Sequence, residues 1–170
     1  METLVIPVTE LFAALEETWK EMLELAKSTA TKDMNKVPFT DSWTAAQLIT
    51  HVTKSNRAIG QGMQMPGKLA ERNPETGIAK LKRMFLDFDA KYQSPDFILP
   101  EDMVYEKETV IRELEKSIDT IRNSDAKQHL TEIISLPVFG EISKVELFHF
   151  VLYHSQRHNH QLKKILLVLK

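Results

Sequence analysis

His154 and His158 stand four residues apart in the most apolar stretch of the chain, on the stripe Leu147, Val151, His154, His158, Leu162, Ile165 and Leu169. Residues at that spacing stack on one face of a helix, so two imidazoles there can converge on one ion. The face they share is otherwise apolar, and polar groups buried without a partner are costly. Neutral imidazole is the commonest metal ligand, and a divalent cation gives both rings a partner; for the pair alone, two core histidines each hydrogen-bonded to a backbone carbonyl or a neighbouring Asp or Glu are an equal alternative.

Zn²⁺, Ni²⁺ or a similar ion needs at least three protein ligands to be held well, and the third must come from another element. His51 is the best placed candidate, at the edge of a second apolar stripe formed by Ala45, Leu48, Ile49, Val52 and Ile59. Three histidines with no obligatory fourth ligand leave a position open, the arrangement of catalytic rather than structural sites. A carboxylate from the connection between the helices is a further possible ligand. His149 and His160 fall roughly opposite Val151 and are expected to face solvent, while His129 lies in an irregular segment and is assigned no role. Tyr153, Arg157 and Gln161 flank the pair as ordinary helix surface or as orienting groups, the former being the more common role. Ser155 and Asn159 lie nearer the core face, and Trp19, Trp43 and Phe148 read as core aromatics.

The elements that must position these residues follow from periodicity. Residues 8–27 carry Leu11, Phe12, Leu15, Trp19, Met22, Leu23 and Ala26 at helical spacing, with Pro7 near the start, where a missing N–H costs least. Thr44-Ala45-Ala46-Gln47 has the capping-box pattern, predicting a second helix that stops before Gly60 and Gly62. A long connection follows, with a shorter helix over 77–90 and an extended stretch around Pro95 and Pro100. A further helix is expected over 101–123, burying Met103 or Val104, and then a short helical segment around Leu130, Ile133 and Ile134 with a turn at Pro137 and Gly140. Ser143-Lys144-Val145-Glu146 repeats the capping box and opens the last helix, which runs to Leu169. No strand pair stands out. The pattern predicts an all-α single domain over 1–170: a four-helix bundle with one long crossover and an accessory helix, a fold that commonly builds metal sites between facing helices.

Composition narrows the function classes. The chain has 170 residues, 22 Lys+Arg against 24 Asp+Glu, and no cysteine. Near-neutral charge disfavours nucleic acid and anionic lipid as partners. The lack of cysteine excludes disulfides, thiolate ligands and a protein thiol nucleophile, so thiol chemistry here requires an external thiol. The opening METLVIPVTELF lacks the basic start and apolar run of a signal peptide, and no stretch approaches about 18 apolar residues; a cytoplasmic protein off the membrane is expected.

Two segments resemble a known family. Trp43-Thr44-Ala45-Ala46-Gln47-Leu48-Ile49-Thr50-His51-Val52 resembles the W-[ST]-x-x-[EQ]-x-x-x-H-[LV] element of the DinB superfamily, the YfiT-like metal-dependent enzymes. Gly140 to Glu146, followed by Tyr153 to Leu162, resembles its closing G-x-[LIM]-[ST]-x-x-E … H-x-x-[RH]-H-x-x-Q-[LI] element. The resemblance implies an up-down-down-up four-helix bundle, a divalent metal, often zinc or nickel, on His51, His154 and His158, and a homodimer. It also implies a small-molecule substrate, either with a low-molecular-weight thiol transferred to an electrophile or with water in a hydrolysis. A non-catalytic metal-binding or dimerisation bundle is the rival expectation, since fold alone does not choose a reaction.

Overall fold

A computed structural model describes residues 6–170; the reading of the first five residues as part of a leaderless N-terminus lies outside the described residues. Four long helices form the bundle: α1 (Val8–Ser28), α2 (Ala45–Met63), and, with the short accessory helix α3 (Ile78–Leu86) between, α4 (Lys107–Arg122) and α5 (Lys144–Leu169). Their directions follow from which ends meet. Arg122 near the end of α4 reaches Glu16 in α1, and Lys107 at its start reaches the Lys27 carbonyl at the far end of α1, so these two helices are antiparallel. Asn56 meets Ser117 and Gly60 packs on Thr120, so α2 and α4 run parallel. Phe12 meets Phe148 and Thr18 meets Asn159, so α1 and α5 run parallel too. The order is therefore up-down-down-up, and the connection between α2 and α4 must be the long crossover.

Both capping boxes form as their sequences require. The Thr44 hydroxyl accepts from the Gln47 N–H at 3.1 Å and the Gln47 side chain accepts from the Thr44 N–H at 3.0 Å. Ser143 and Glu146 repeat the exchange at 3.1 and 2.8 Å. These caps set the register of α2 and α5, and with it the heights of His51, His154 and His158.

The core fills the space between α1, α2, α4 and α5, with Leu11, Leu15, Met22, Ile49, Leu114, Ile118, Leu147 and Phe148 fully enclosed. Phe12 meets Phe148 edge to face at 5.2 Å between ring centres, a geometry worth about 0.5–1.5 kcal/mol beyond the area it buries.

Several boundaries differ from the sequence expectations. Helix α2 does not stop before its glycines but continues to Met63. A Cβ at Gly60 would lie 2.7 Å from Thr120 Cγ2, and one at Gly62 3.0 Å from Leu136 Cδ2, so these glycines permit close packing rather than terminate the helix. Helix α4 starts at Lys107, capped by the Glu106 carboxylate, leaving Met103 and Val104 exposed rather than buried. The accessory helix is shorter than 77–90.

The segment after α4 is not helical around Ile133 and Ile134. Strands β2 (Glu132–Leu136) and β3 (Gly140–Ser143) form an antiparallel hairpin, and β1 (Lys68–Leu69) pairs with β2 to make a three-stranded sheet. Gly140 takes φ +65°, the left-handed turn conformation that favours glycine. This small sheet ties the start of the crossover to the entrance of α5.

Candidate metal centre

His51 projects from the middle of α2, and His154 and His158 from successive turns of α5, so two facing antiparallel helices bring all three rings together. All three are buried. Their Nε2 atoms form a tight triangle: 3.3 Å from His51 to His154, 3.1 Å from His51 to His158 and 3.0 Å from His154 to His158. Nitrogen donors placed tetrahedrally at the usual zinc–imidazole distance are about 3.3–3.4 Å apart, so the triangle is close to the size one small divalent cation requires.

The opposite edges of the rings decide where the protons are. His51 Nδ1 lies 3.0 Å from the Ile98 carbonyl, which can only accept, so this nitrogen carries the hydrogen. His158 Nδ1 lies 2.6 Å from Gln161 Oε1 and donates in the same way. In the neutral rings both Nε2 atoms therefore present lone pairs, and at 3.1 Å those lone pairs face each other. A hydrogen on His154 Nε2 can be shared between the two acceptors, at 3.3 and 3.0 Å, but it does not lie on the line between them. A cation in the middle satisfies all three donors at once.

Burial also favours the ligating, unprotonated form. It pushes His158 down to about 3, with the neighbouring His51 charge and Arg157 adding to the effect, outweighing Gln161. His154 is depressed well below the ordinary imidazole range by burial, then by His158, His51 and Arg157. His51 is lowered by burial against the opposing effect of the Ile98 carbonyl. The rings are thus held neutral at physiological pH, the state that binds metal.

Aromatic groups wall the cluster. Phe150 stacks on His154 with ring centres 5.0 Å apart, Phe85 approaches its edge at 5.9 Å, and Trp43 lies 5.0 Å from His51. No carboxylate among the described residues joins the three histidines, so the acidic ligand considered for the crossover is not there. The crossover contributes the Ile98 carbonyl instead.

Several other assignments change. His149 is buried rather than outward, with Nδ1 donating to the Val145 carbonyl and Nε2 without a hydrogen-bond partner. It is enclosed because α5 is covered on several sides by α1, α2 and α3, so no face of its first half is free. His160 is half-buried, stacked on Phe88 at 4.1 Å. Arg157 is buried and donates to the carbonyls of Phe85, Asp87 and Ala90, fastening the end of α3 to α5. Gln161 orients a histidine of the cluster, and two sequence signals point to it: its place one turn after His158 and the Q of the closing family element. Arg72, which no sequence motif marks, makes a two-pronged contact at 2.9 and 2.8 Å with Glu146, the α5 capping carboxylate. Burial alone would raise Glu146, but Arg72 with the Ser143 and Gly77 N–H groups outweighs this and holds it low.

A cavity of about 1050 Å³ opens beside the cluster, between α2 and α5 and beneath the crossover, with His51 and His154 in its wall. No helix of the described residues is long and apolar enough to cross a membrane.

Known proteins resemble this chain in sequence or in fold. YuaE of Bacillus subtilis (strain 168), an uncharacterized protein, is 24% identical over 160 residues, covering 88% of this chain and 90% of that protein. The crystal structure of TT2238, described as a four-helix bundle protein, superposes with a TM-score of 0.53 at 15% identity, covering 92% of this chain and 98% of that one. Residues 14–162 match the profile of the DinB superfamily, and on that match over most of its length the chain belongs to the DinB superfamily.

Proposed function

We propose that this protein is a divalent-metal-dependent enzyme in which His51, His154 and His158 hold zinc or nickel beside the cavity and a low-molecular-weight thiol is transferred to a small electrophile. The observation that carries the reading is the convergence of three buried imidazole Nε2 atoms, 3.3, 3.1 and 3.0 Å apart, with two of the rings held from behind by the Ile98 carbonyl and Gln161. When bound, the ion supplies Lewis acidity, lowering the pKa of a thiol or water so that it is a nucleophile at neutral pH.

The protein's own residues do the positioning. Ile98 and Gln161 fix the orientation of two ligand rings, and Phe85, Phe150 and Trp43 restrict water around them. The absence of cysteine means that the sulfur nucleophile comes from outside the chain. Thiol transfer, rather than hydrolysis, is preferred on the family resemblance.

The test measures conjugation of glutathione and of bacillithiol with 1-chloro-2,4-dinitrobenzene by zinc-loaded, nickel-loaded and chelator-stripped protein. Turnover that needs the metal and disappears in His154→Ala is expected. Equal rates with loaded and stripped protein would overturn the proposal.

A further inference from the structure

The cavity is a slot with a polarity gradient. Along α5 its wall is Glu146, Phe150 and His154, each four residues from the last and so on one face of the helix. This stripe spans about 12 Å at the helical rise. Along α2 the facing wall is His51, Ser55, Ile59 and Gly62. One end of the slot is thus the histidine cluster, the middle is aromatic and aliphatic, and the far end is the Arg72–Glu146 pair.

The charges in its lining balance. Arg72 is bound by Glu146, Glu141 is paired with Lys68 at 3.7 Å, and Lys80 is exposed. The mouth is unusually apolar: Met65, Met84, Tyr92, Phe97 and Val138 all line the cavity and are all substantially exposed. Contiguous exposed apolar groups around a concavity mark a binding site for apolar ligand surface.

We infer that this slot binds the electrophile, and that the electrophile is an elongated, uncharged molecule with an alkyl or aryl body, its reacting end at His51 and His154 and its tail towards Arg72. The inference rests on the reading of the histidine cluster as the reactive centre for the orientation of the ligand, and on the cavity alone for its chemical class. A charged tail would have to leave water for a wall in which Arg72, Glu146 and Glu141 are already paired and the one remaining charge, Lys80, stands exposed at the solvent side.

The probe is N-phenyl-1-naphthylamine, titrated by fluorescence into the full-length protein after chelator treatment and again after zinc loading. Its comparator is 1-anilinonaphthalene-8-sulfonate, the same ring system bearing an anion. Saturable binding of one N-phenyl-1-naphthylamine per chain is expected in both metal states, with the sulfonate at least tenfold weaker in the chelated protein. Ala58→Phe, which fills the slot from α2, and Met84→Trp, at the exposed mouth, are each expected to weaken the uncharged probe at least tenfold. Equal or tighter binding of the sulfonate would overturn the inference, as would unchanged binding in whichever of the two variants retains the wild-type circular dichroism spectrum. Probe binding that falls as protein concentration rises, alongside a dimer in sedimentation velocity, would assign the apolar mouth to a second copy and equally overturn it. Because the probe is read without metal, failure of the metal proposal leaves this result standing, and the reverse.

Discussion

The Nε2 atoms of His51 and His158 face each other at 3.1 Å while both Nδ1 atoms donate elsewhere, one to the Ile98 carbonyl and one to Gln161. Two lone pairs in that position repel unless positive charge lies between them. On the proposed reading the cluster is a preorganised cation receptor, with the His51 and His158 rings oriented by the Ile98 carbonyl and Gln161.

Gln161 is expected to act through His158. Gln161→Leu should weaken zinc binding by about 10–100-fold, the usual cost of removing a group that orients a ligand histidine, with little change in unfolding temperature for the metal-free protein. Gln161→Glu should restore affinity, because its carboxylate still accepts from Nδ1. Competition titration against a zinc chelator reads both, and equal affinity in Gln161→Leu would remove Gln161 from the site.

Arg157 fastens the crossover to α5 through three carbonyls. Arg157→Met should destabilise the protein by about 1–3 kcal/mol, from acceptors left without a donor. Hydrogen exchange should accelerate in residues 85–90 more than in α1. Uniform acceleration across the bundle would show that Arg157 does not act locally.

Gly77 faces Glu146 so closely that a Cβ would lie 2.9 Å from Oε1. Gly77→Ala should displace the carboxylate that caps α5 and binds Arg72, costing about 1–3 kcal/mol as overpacking does. Urea unfolding measures the loss, and a wild-type midpoint would mean that the node yields freely.

The metal-free protein should lose stability in acid. Burial pushes His158 down to about 3, and His154 and His51 are also lowered, whereas the unfolded chain protonates its histidines at about 6.5. Between those values the unfolded state holds more protons, so stability rises with pH. The full contribution is expected above about pH 6.5, with progressive loss as the pH falls towards His158's own titration. Thermal melts of wild type and His158→Gln across this range check it; the variant should show the shallower slope, and parallel curves would contradict the assignment.

Much of the site was legible because its determinants are local. The capping boxes at Thr44 and Ser143 fix where α2 and α5 begin, and the 3.6-residue repeat then fixes which histidines share a face. What escaped depends on distant partners. Gly60 and Gly62 look like a helix stop until Thr120 and Leu136 are seen against them. Strand β1 is two residues long and exists through pairing with β2, more than sixty residues away, so no local pattern announces it. His149 lies opposite the apolar stripe of an ordinary surface helix, but α5 is the enclosed helix of this bundle and has no dry-versus-wet division in its first half. Ile98 acts through its carbonyl, which side-chain identity does not reveal.

Metal content is the most direct test. Protein purified without a histidine tag, incubated with zinc or nickel and passed through a desalting column, should carry about one divalent ion per chain by emission spectroscopy, while folded His51→Ala and His158→Ala should carry almost none. Wild-type protein holding less than about one-tenth of an ion per chain, or variants retaining the wild-type content, would contradict the account.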